Sequence, residues 1–125
     1  MFEVAVEQSF AAAHALRDYQ GKCERLHGHN YRVRVIVQGE QLNPSGLLVD
    51  FLDLRRILHE VIEPFDHRVL NEVPPFDRVN PTAEELARYL CQQVSQRLQS
   101  LRADGVSVKE VQVWETDSAV AVYRP

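Results

Sequence analysis

The stretch CERLHGHNYRVRVIV, residues 23–37, holds a strand and a cluster of ionisable groups in one run. Val33, Val35 and Val37 follow Tyr31 at every second position, against Arg32, Arg34 and Ile36, which is the period of a half-buried strand. Residues two apart on a strand share a face, so His27 and His29 present both imidazoles to one point. Gly28 between them leaves the opposite face bare, where another segment could approach closely. A thiol, a carboxylate and a guanidinium, at Cys23, Glu24 and Arg25, lie just upstream.

Upstream, residues 3–10 alternate in the same way and predict a second strand, with the polar, glycine-containing segment Asp18–Gly28 as the loop between the two. Downstream, Asn43, Pro44, Ser45 and Gly46 give a turn. Asp50 then caps a helix with Asp53 in its first turn and Leu54, Ile57, Leu58, Val61 and Ile62 on one face, ended by Pro64. Residues 71–81 contain three prolines and predict a connecting loop. A second helix opens at NPTAEE, capped either by Asn80 with Pro81 in the first turn or by Thr82 with Glu85 three residues on; its stripe is Leu86, Leu90, Val94, Leu98 and Leu101. Val106–Glu115 and Ala119–Tyr123 predict two last strands about a turn at Thr116, Asp117 and Ser118. The order strand, strand, helix, helix, strand, strand implies an α+β fold, a four-stranded antiparallel sheet with two helices on one face, in a single domain over residues 1–125.

Composition narrows the partners. The formal charge is −4 with no basic block, which gives no electrostatic ground for a nucleic-acid partner. No apolar run approaches the length of a membrane span, and MFEVAVEQSF carries acids where a signal peptide is basic, so a cytoplasmic protein is expected. Of the two cysteines, Cys91 shares a helical apolar stripe with Ala87, Val94 and Leu98 and reads as a small buried hydrophobe, whereas Cys23 lies among charges.

The candidate chemistry centres on histidine. His14 closes FAAAH after the first strand, and if the strands pair it can join His27 and His29. Three neutral imidazoles suit Zn²⁺, and three protein ligands with an open fourth position form the pattern of a catalytic site. If Cys23 is a fourth ligand, the site is instead closed and structural. As a free thiolate beside positive groups, Cys23 is a competent proton acceptor. Asp66 and His67, in FDHRVLN, form a dyad in which the carboxylate can fix the imidazole's tautomer. His59 reads as a helix-surface residue. Glu115, at the end of KEVQVWET, can accept two hydrogen bonds from a guanidine-like edge.

FAAAH, CERLHGH, FDHRVLN, NPTAEE and WETDSAVAVY, in this order, closely resemble the 6-pyruvoyl tetrahydropterin synthase and 6-carboxytetrahydropterin synthase family, from about Phe2 to Arg124. The resemblance implies the tunnelling fold (T-fold), in which the sheets of three subunits close into a barrel, two trimers commonly stack into a hexamer, and active sites lie between subunits. It implies 7,8-dihydroneopterin triphosphate as substrate, zinc held by His14, His27 and His29, and Cys23 as proton acceptor. His67, supported by Asp66, would relay protons, and Glu115 would grip the pterin with help from Thr82 and Glu84. The short chain and LHGH look like the carboxypterin branch, which releases acetaldehyde and triphosphate and serves queuosine and deazapurine synthesis; WETDSAVAVY is similar to both branches. Glu24 sits where a folate-directed subfamily giving 6-hydroxymethyl-dihydropterin carries a glutamate, or is a solvated loop residue. Arg25 and Arg68 are candidate triphosphate contacts. A reading from another class is a pterin- or purine-binding oligomer whose zinc is only structural.

Overall fold

Two long strands form the spine of the computed structural model, which describes residues 1–102 and 104–125. β1 (Phe2–His14) and β2 (His27–Gly39) pair antiparallel without interruption, from Phe2 opposite Gly39 to His14 opposite His27. Both outrun the alternation that predicted them. β1 continues through FAAAH, and β2 begins at His27, inside the segment expected to be loop; a single 3₁₀ turn, Lys22–Glu24, interrupts the connection.

Helix α1 (Phe51–Ile62) starts as expected, with the Asp50 carboxylate accepting from the Leu52 amide at 2.9 Å. The two-residue strand β3 (Arg68–Val69) follows, then helix α2 (Ala83–Leu101). Thr82, not Asn80, is the cap of α2, its hydroxyl accepting from the Glu85 amide at 3.1 Å. Strands β4 (Val106–Thr116) and β5 (Ala119–Tyr123) complete the chain.

The sheet has five strands in the order β3-β1-β2-β4-β5, which corrects the expected four. β3 also breaks the all-antiparallel expectation, because it lies parallel to β1 through Ala12–Arg68 and Ala13–Val69. Two residues give no periodicity to read, and their pairing is a backbone matter.

One face of the sheet carries the core. Tyr31, Val33, Val35 and Val37 of β2 and Val111 and Val113 of β4 are fully buried against Leu54 and Leu58 of α1 and Leu86, Leu90 and Val94 of α2. Burying each such side chain contributes about 1.5–3 kcal/mol. Leu101, the last residue of the predicted stripe, is largely exposed. The connection after β3 is less loop-like than its prolines suggest, since Leu70, Val73 and Phe76 are buried in the same core.

β4 contains a bulge. Ile36 pairs with Glu110 and Val37 with Val108, so Lys109 has no partner across β2. The inserted residue reverses the alternation: Val106 and Val108 face the core before it, Val111 and Val113 after it. Glu115, the residue skipped where the β4–β5 register shifts between Trp114 and Thr116, continues the alternation of Val111 and Val113 and falls on the side of the histidines.

Candidate metal centre

Strand register brings the histidines together. His14 lies opposite His27, and Ala12, too small to obstruct a ring, lies opposite His29. All three share the helix-covered face with Phe10 and Tyr31. The ring centroids stand 4.5 Å apart for His14 and His27, 5.1 Å for His14 and His29, and 4.8 Å for His27 and His29. Glu115 joins them across the bulged strand, and one donor atom from each of the four residues lies within 4.8 Å of the others.

Hydrogen bonding fixes which nitrogens face inward. His14 Nδ1 is 2.7 Å from the Pro81 carbonyl and His27 Nδ1 is 2.7 Å from the Arg25 carbonyl. A carbonyl only accepts, so both Nδ1 atoms carry the proton and both Nε2 atoms carry lone pairs. Those two Nε2 atoms stand 3.0 Å apart. Facing lone pairs repel, and a cation between them relieves the repulsion. A shared proton would leave one ring charged, which burial disfavours: desolvation is the main cause that holds His14 and His29 below the ordinary imidazole pKa. His29 Nε2 is buried with no hydrogen-bond partner, although Glu115 Oε1 lies 3.2 Å away. An orphaned buried nitrogen, two facing lone pairs and a carboxylate are the donor set of a first-row metal such as zinc, so these residues fit one.

The segments that place the carbonyls are themselves pinned. The Asn80 side chain brackets Arg17, accepting from its amide at 2.8 Å and donating to its carbonyl at 3.0 Å. Asn71 does the same for Ala15 at 2.9 and 2.8 Å. The chain entering α2 is thereby tied to the end of β1, with the Pro81 carbonyl beside His14.

A sequence model of the family described as 6-pyruvoyl tetrahydropterin synthase matches residues 3–125. The chain belongs to that family. It is 36% identical to the 6-carboxy-5,6,7,8-tetrahydropterin synthase of Bacillus subtilis, over 99% of this chain and 86% of that protein. It is 39% identical to human 6-pyruvoyl tetrahydrobiopterin synthase, over 83% of this chain and 71% of that one. Among solved structures it is similar to the 6-pyruvoyl tetrahydropterin synthase of Caenorhabditis elegans, with a TM-score of 0.84 and 28% identity over 100% of this chain and 97% of the other. The structural likeness covers the whole of this chain, both helices and the five-stranded sheet included.

The remaining candidates of this pterin synthase family member fall in three places. Cys23 sits half-buried on the 3₁₀ turn, and its carbonyl accepts from the Leu16 amide at 2.8 Å, which ties the turn to the end of β1. Its thiol is outside the four-residue donor group; the carboxylate of Glu115 is the fourth member. Glu24 and Arg25, beside it, are exposed.

The Asp66 and His67 dyad also lies outside the donor group. Asp66 Oδ1 accepts from the Ala11 amide at 3.1 Å and meets His67 Nδ1 at 3.0 Å. The Ala11 bond, more than the His67 one, holds the carboxyl below its ordinary pKa. His67, in a left-handed conformation at φ 58°, lines an open basin of about 440 Å³ with Ala11–Ala13, Gly28–Asn30, Arg68 and Val69. By alternation Ala11, Ala13, Gly28 and Asn30 belong to the face away from the helices, whereas Ala12 and His29 of the same lining belong to the helix-covered one. Among the described residues, an added Cβ at position 28 would meet only the Ala12 carbonyl, at 3.7 Å, an ordinary contact that does not require glycine there.

The third place is a cleft of about 290 Å³ beside Glu115, lined by Ala83, Glu84 and Ala119–Val122. Two predicted carboxylates, Glu115 and Glu84, therefore face one space. Thr82 is absent from that lining, and its hydroxyl serves the helix cap. His59 is an exposed helix residue 3.7 Å from Glu63, as read. What the sequence reading lacked was Glu115 as a neighbour of the histidines. The signal was available in VSVKEVQV, where the valine spacing changes from two to three at Lys109 and Glu110.

Proposed function

We propose that this chain is a zinc-dependent 6-carboxy-5,6,7,8-tetrahydropterin synthase, converting 7,8-dihydroneopterin triphosphate and water to the carboxypterin, acetaldehyde and triphosphate. The observation that carries the metal half is the pair of facing lone pairs on His14 and His27, 3.0 Å apart in a site where the third imidazole is orphaned. The Bacillus subtilis carboxypterin synthase, aligned over 99% of the chain, supports the product half.

Zinc held by His14, His27 and His29 supplies an electrophile that acidifies the substrate's side-chain hydroxyls. The protein's residues supply the rest. Cys23, on the turn tied to the end of β1, accepts a proton from the substrate side chain. Glu115 and Glu84 receive the N–H donors of the aminopyrimidine edge in the cleft between α2 and β5. Asp66 fixes the tautomer of His67, which returns protons.

Within one subunit that dyad lies outside the imidazole donor group, in a basin shared with Ala11, Ala13, Gly28 and Asn30, so the dyad serves the site of a neighbouring subunit. The small residues around His67 and the uncrowded Gly28 favour such an approach. The protein therefore works as an oligomer with sites between subunits, a trimer or a hexamer of two trimers. No described helix is long and apolar enough to cross a membrane.

Product analysis tests the reading. Purified protein given dihydroneopterin triphosphate is expected to release acetaldehyde with 6-carboxytetrahydropterin. Glycolaldehyde would move the assignment to the folate-directed activity and give Glu24 a role, 6-pyruvoyl tetrahydropterin would move it to the other main branch, and no turnover would leave a pterin-binding oligomer.

A further inference from the structure

Tyr31 reaches into the imidazole cluster from the core. It is fully buried, its ring stacks on Phe10 at 5.1 Å between centroids, and it meets His14 and His29 edge-on at 5.9 and 5.4 Å. The stacked ring leaves the hydroxyl one direction. That direction ends 3.1 Å from His14 Nδ1.

This nitrogen already donates its proton to the Pro81 carbonyl. If Tyr31 instead donated to a bare Nδ1, the Pro81 oxygen at 2.7 Å would face a lone pair, which is repulsive. The phenol oxygen is therefore a second acceptor for the same N–H. We infer that Tyr31 is a positioning residue of the metal centre, completing with the Pro81 carbonyl a two-oxygen cradle that holds His14 in the Nδ1–H tautomer and aims Nε2 at the metal.

The inference rests on the metal reading above and adds a residue to it. A rotation of the His14 ring or a change of tautomer would withdraw one of the three nitrogens. The Pro81 carbonyl alone fixes one edge of the ring, and the phenol oxygen, approaching from the core, removes the freedom that remains. Outer partners of this kind typically govern metal affinity by 10- to 100-fold. The aromatic ring of Tyr31 is part of the core, but its hydroxyl makes no packing contribution that phenylalanine could not supply.

The experiment compares the wild-type protein with Tyr31→Phe in two measurements. Zinc affinity is read by competition with a chromophoric chelator at neutral pH, and the His14 tautomer by long-range ¹H–¹⁵N correlation on the metal-free proteins. Tyr31→Phe is expected to weaken zinc binding at least about 10-fold and to convert a pure Nδ1–H signature at His14 into a mixture. Zinc binding within twofold of wild type together with an unchanged tautomer overturns the inference. If the wild-type protein takes up no zinc, the metal reading falls and the tautomer ratio still decides the role of Tyr31. Should Tyr31→Phe fold poorly, Phe10→Leu, which removes the stacking partner and keeps the hydroxyl, serves as the second variant: its His14 tautomer is expected to stay Nδ1–H, and loss of that signature would assign the effect to packing instead.

Discussion

His14 and His27 are register partners at the far end of an unbroken antiparallel ladder, and their Nε2 atoms meet at 3.0 Å because the strands do. His14 is buried in the core, whereas His27 and His29 are only half-buried and can be replaced with less disturbance to it. His27→Ala and His29→Ala are each expected to lower bound zinc from one ion per chain to a small fraction, read by elemental analysis after dialysis. Full occupancy in either variant would remove the case for a three-histidine centre.

Cys23 separates a catalytic site from a closed structural one. Its thiol lies outside the donor group that Glu115 completes. Cys23→Ala is therefore expected to keep its zinc and to lose turnover by at least about 100-fold, the low end for a proton-transfer group. A zinc-free Cys23→Ala protein would instead make the thiol a ligand.

Burial holds the His14 and His29 imidazoles below their ordinary value of about 6.5. As pH falls through that value the unfolded chain takes up protons that the folded, metal-free protein refuses, so folding is disfavoured. The metal-free protein should be at full stability above about pH 7 and lose stability as pH drops below about 6.5, until the lowered folded-state pKa values are passed. Urea midpoints across this range provide the check, and a flat profile would contradict it. Metal release should run in the same direction, because ligands must be deprotonated to bind.

Two glycines on β2 make opposite predictions. A Cβ on Gly39 would stand only 2.5 Å from the Gly105 carbonyl oxygen, backbone that cannot step aside, so Gly39→Ala is expected to cost about 1–3 kcal/mol in chemical unfolding. Gly28→Ala has room within the subunit and should leave subunit stability near that of wild type while shifting the sedimentation profile toward smaller species. Equal loss of stability in both would deny Gly28 its place at an interface.

Much of this architecture could be read from residue patterns. Alternation around Val33 and Val35 gave β2, and Asp50 announced its helix because capping is local chemistry, while the start of α2 was legible only as a choice between Asn80 and Thr82. The ends of β1 and β2 were hidden, since Ala11–Ala13 and Gly28 offer no contrast between inward and outward positions. The strand β3 and the buried Leu70, Val73 and Phe76 were hidden by prolines and by pairing that depends on residues far away in the chain. In the site, HxH declared its own geometry. Glu115 did not, because its side of the sheet is marked only upstream, by the change of valine spacing at Lys109 and Glu110, and not by its own neighbours.

Lys109 works like a frameshift in the ladder. It contributes nothing to the centre chemically, yet everything downstream on β4 is read in the frame it sets. Deleting that single residue would make the ladder regular and leave Val111 and Val113 opposite the same β2 partners, whereas closing the bulge with Lys109 drawn into the ladder would turn them, and Glu115 with them, to the side where Gln112 now points. The bulge is thus the place in this strand where one residue can be absorbed without moving the site, and the spacing from Glu110 to Glu115 is as much a part of the site as the carboxylate.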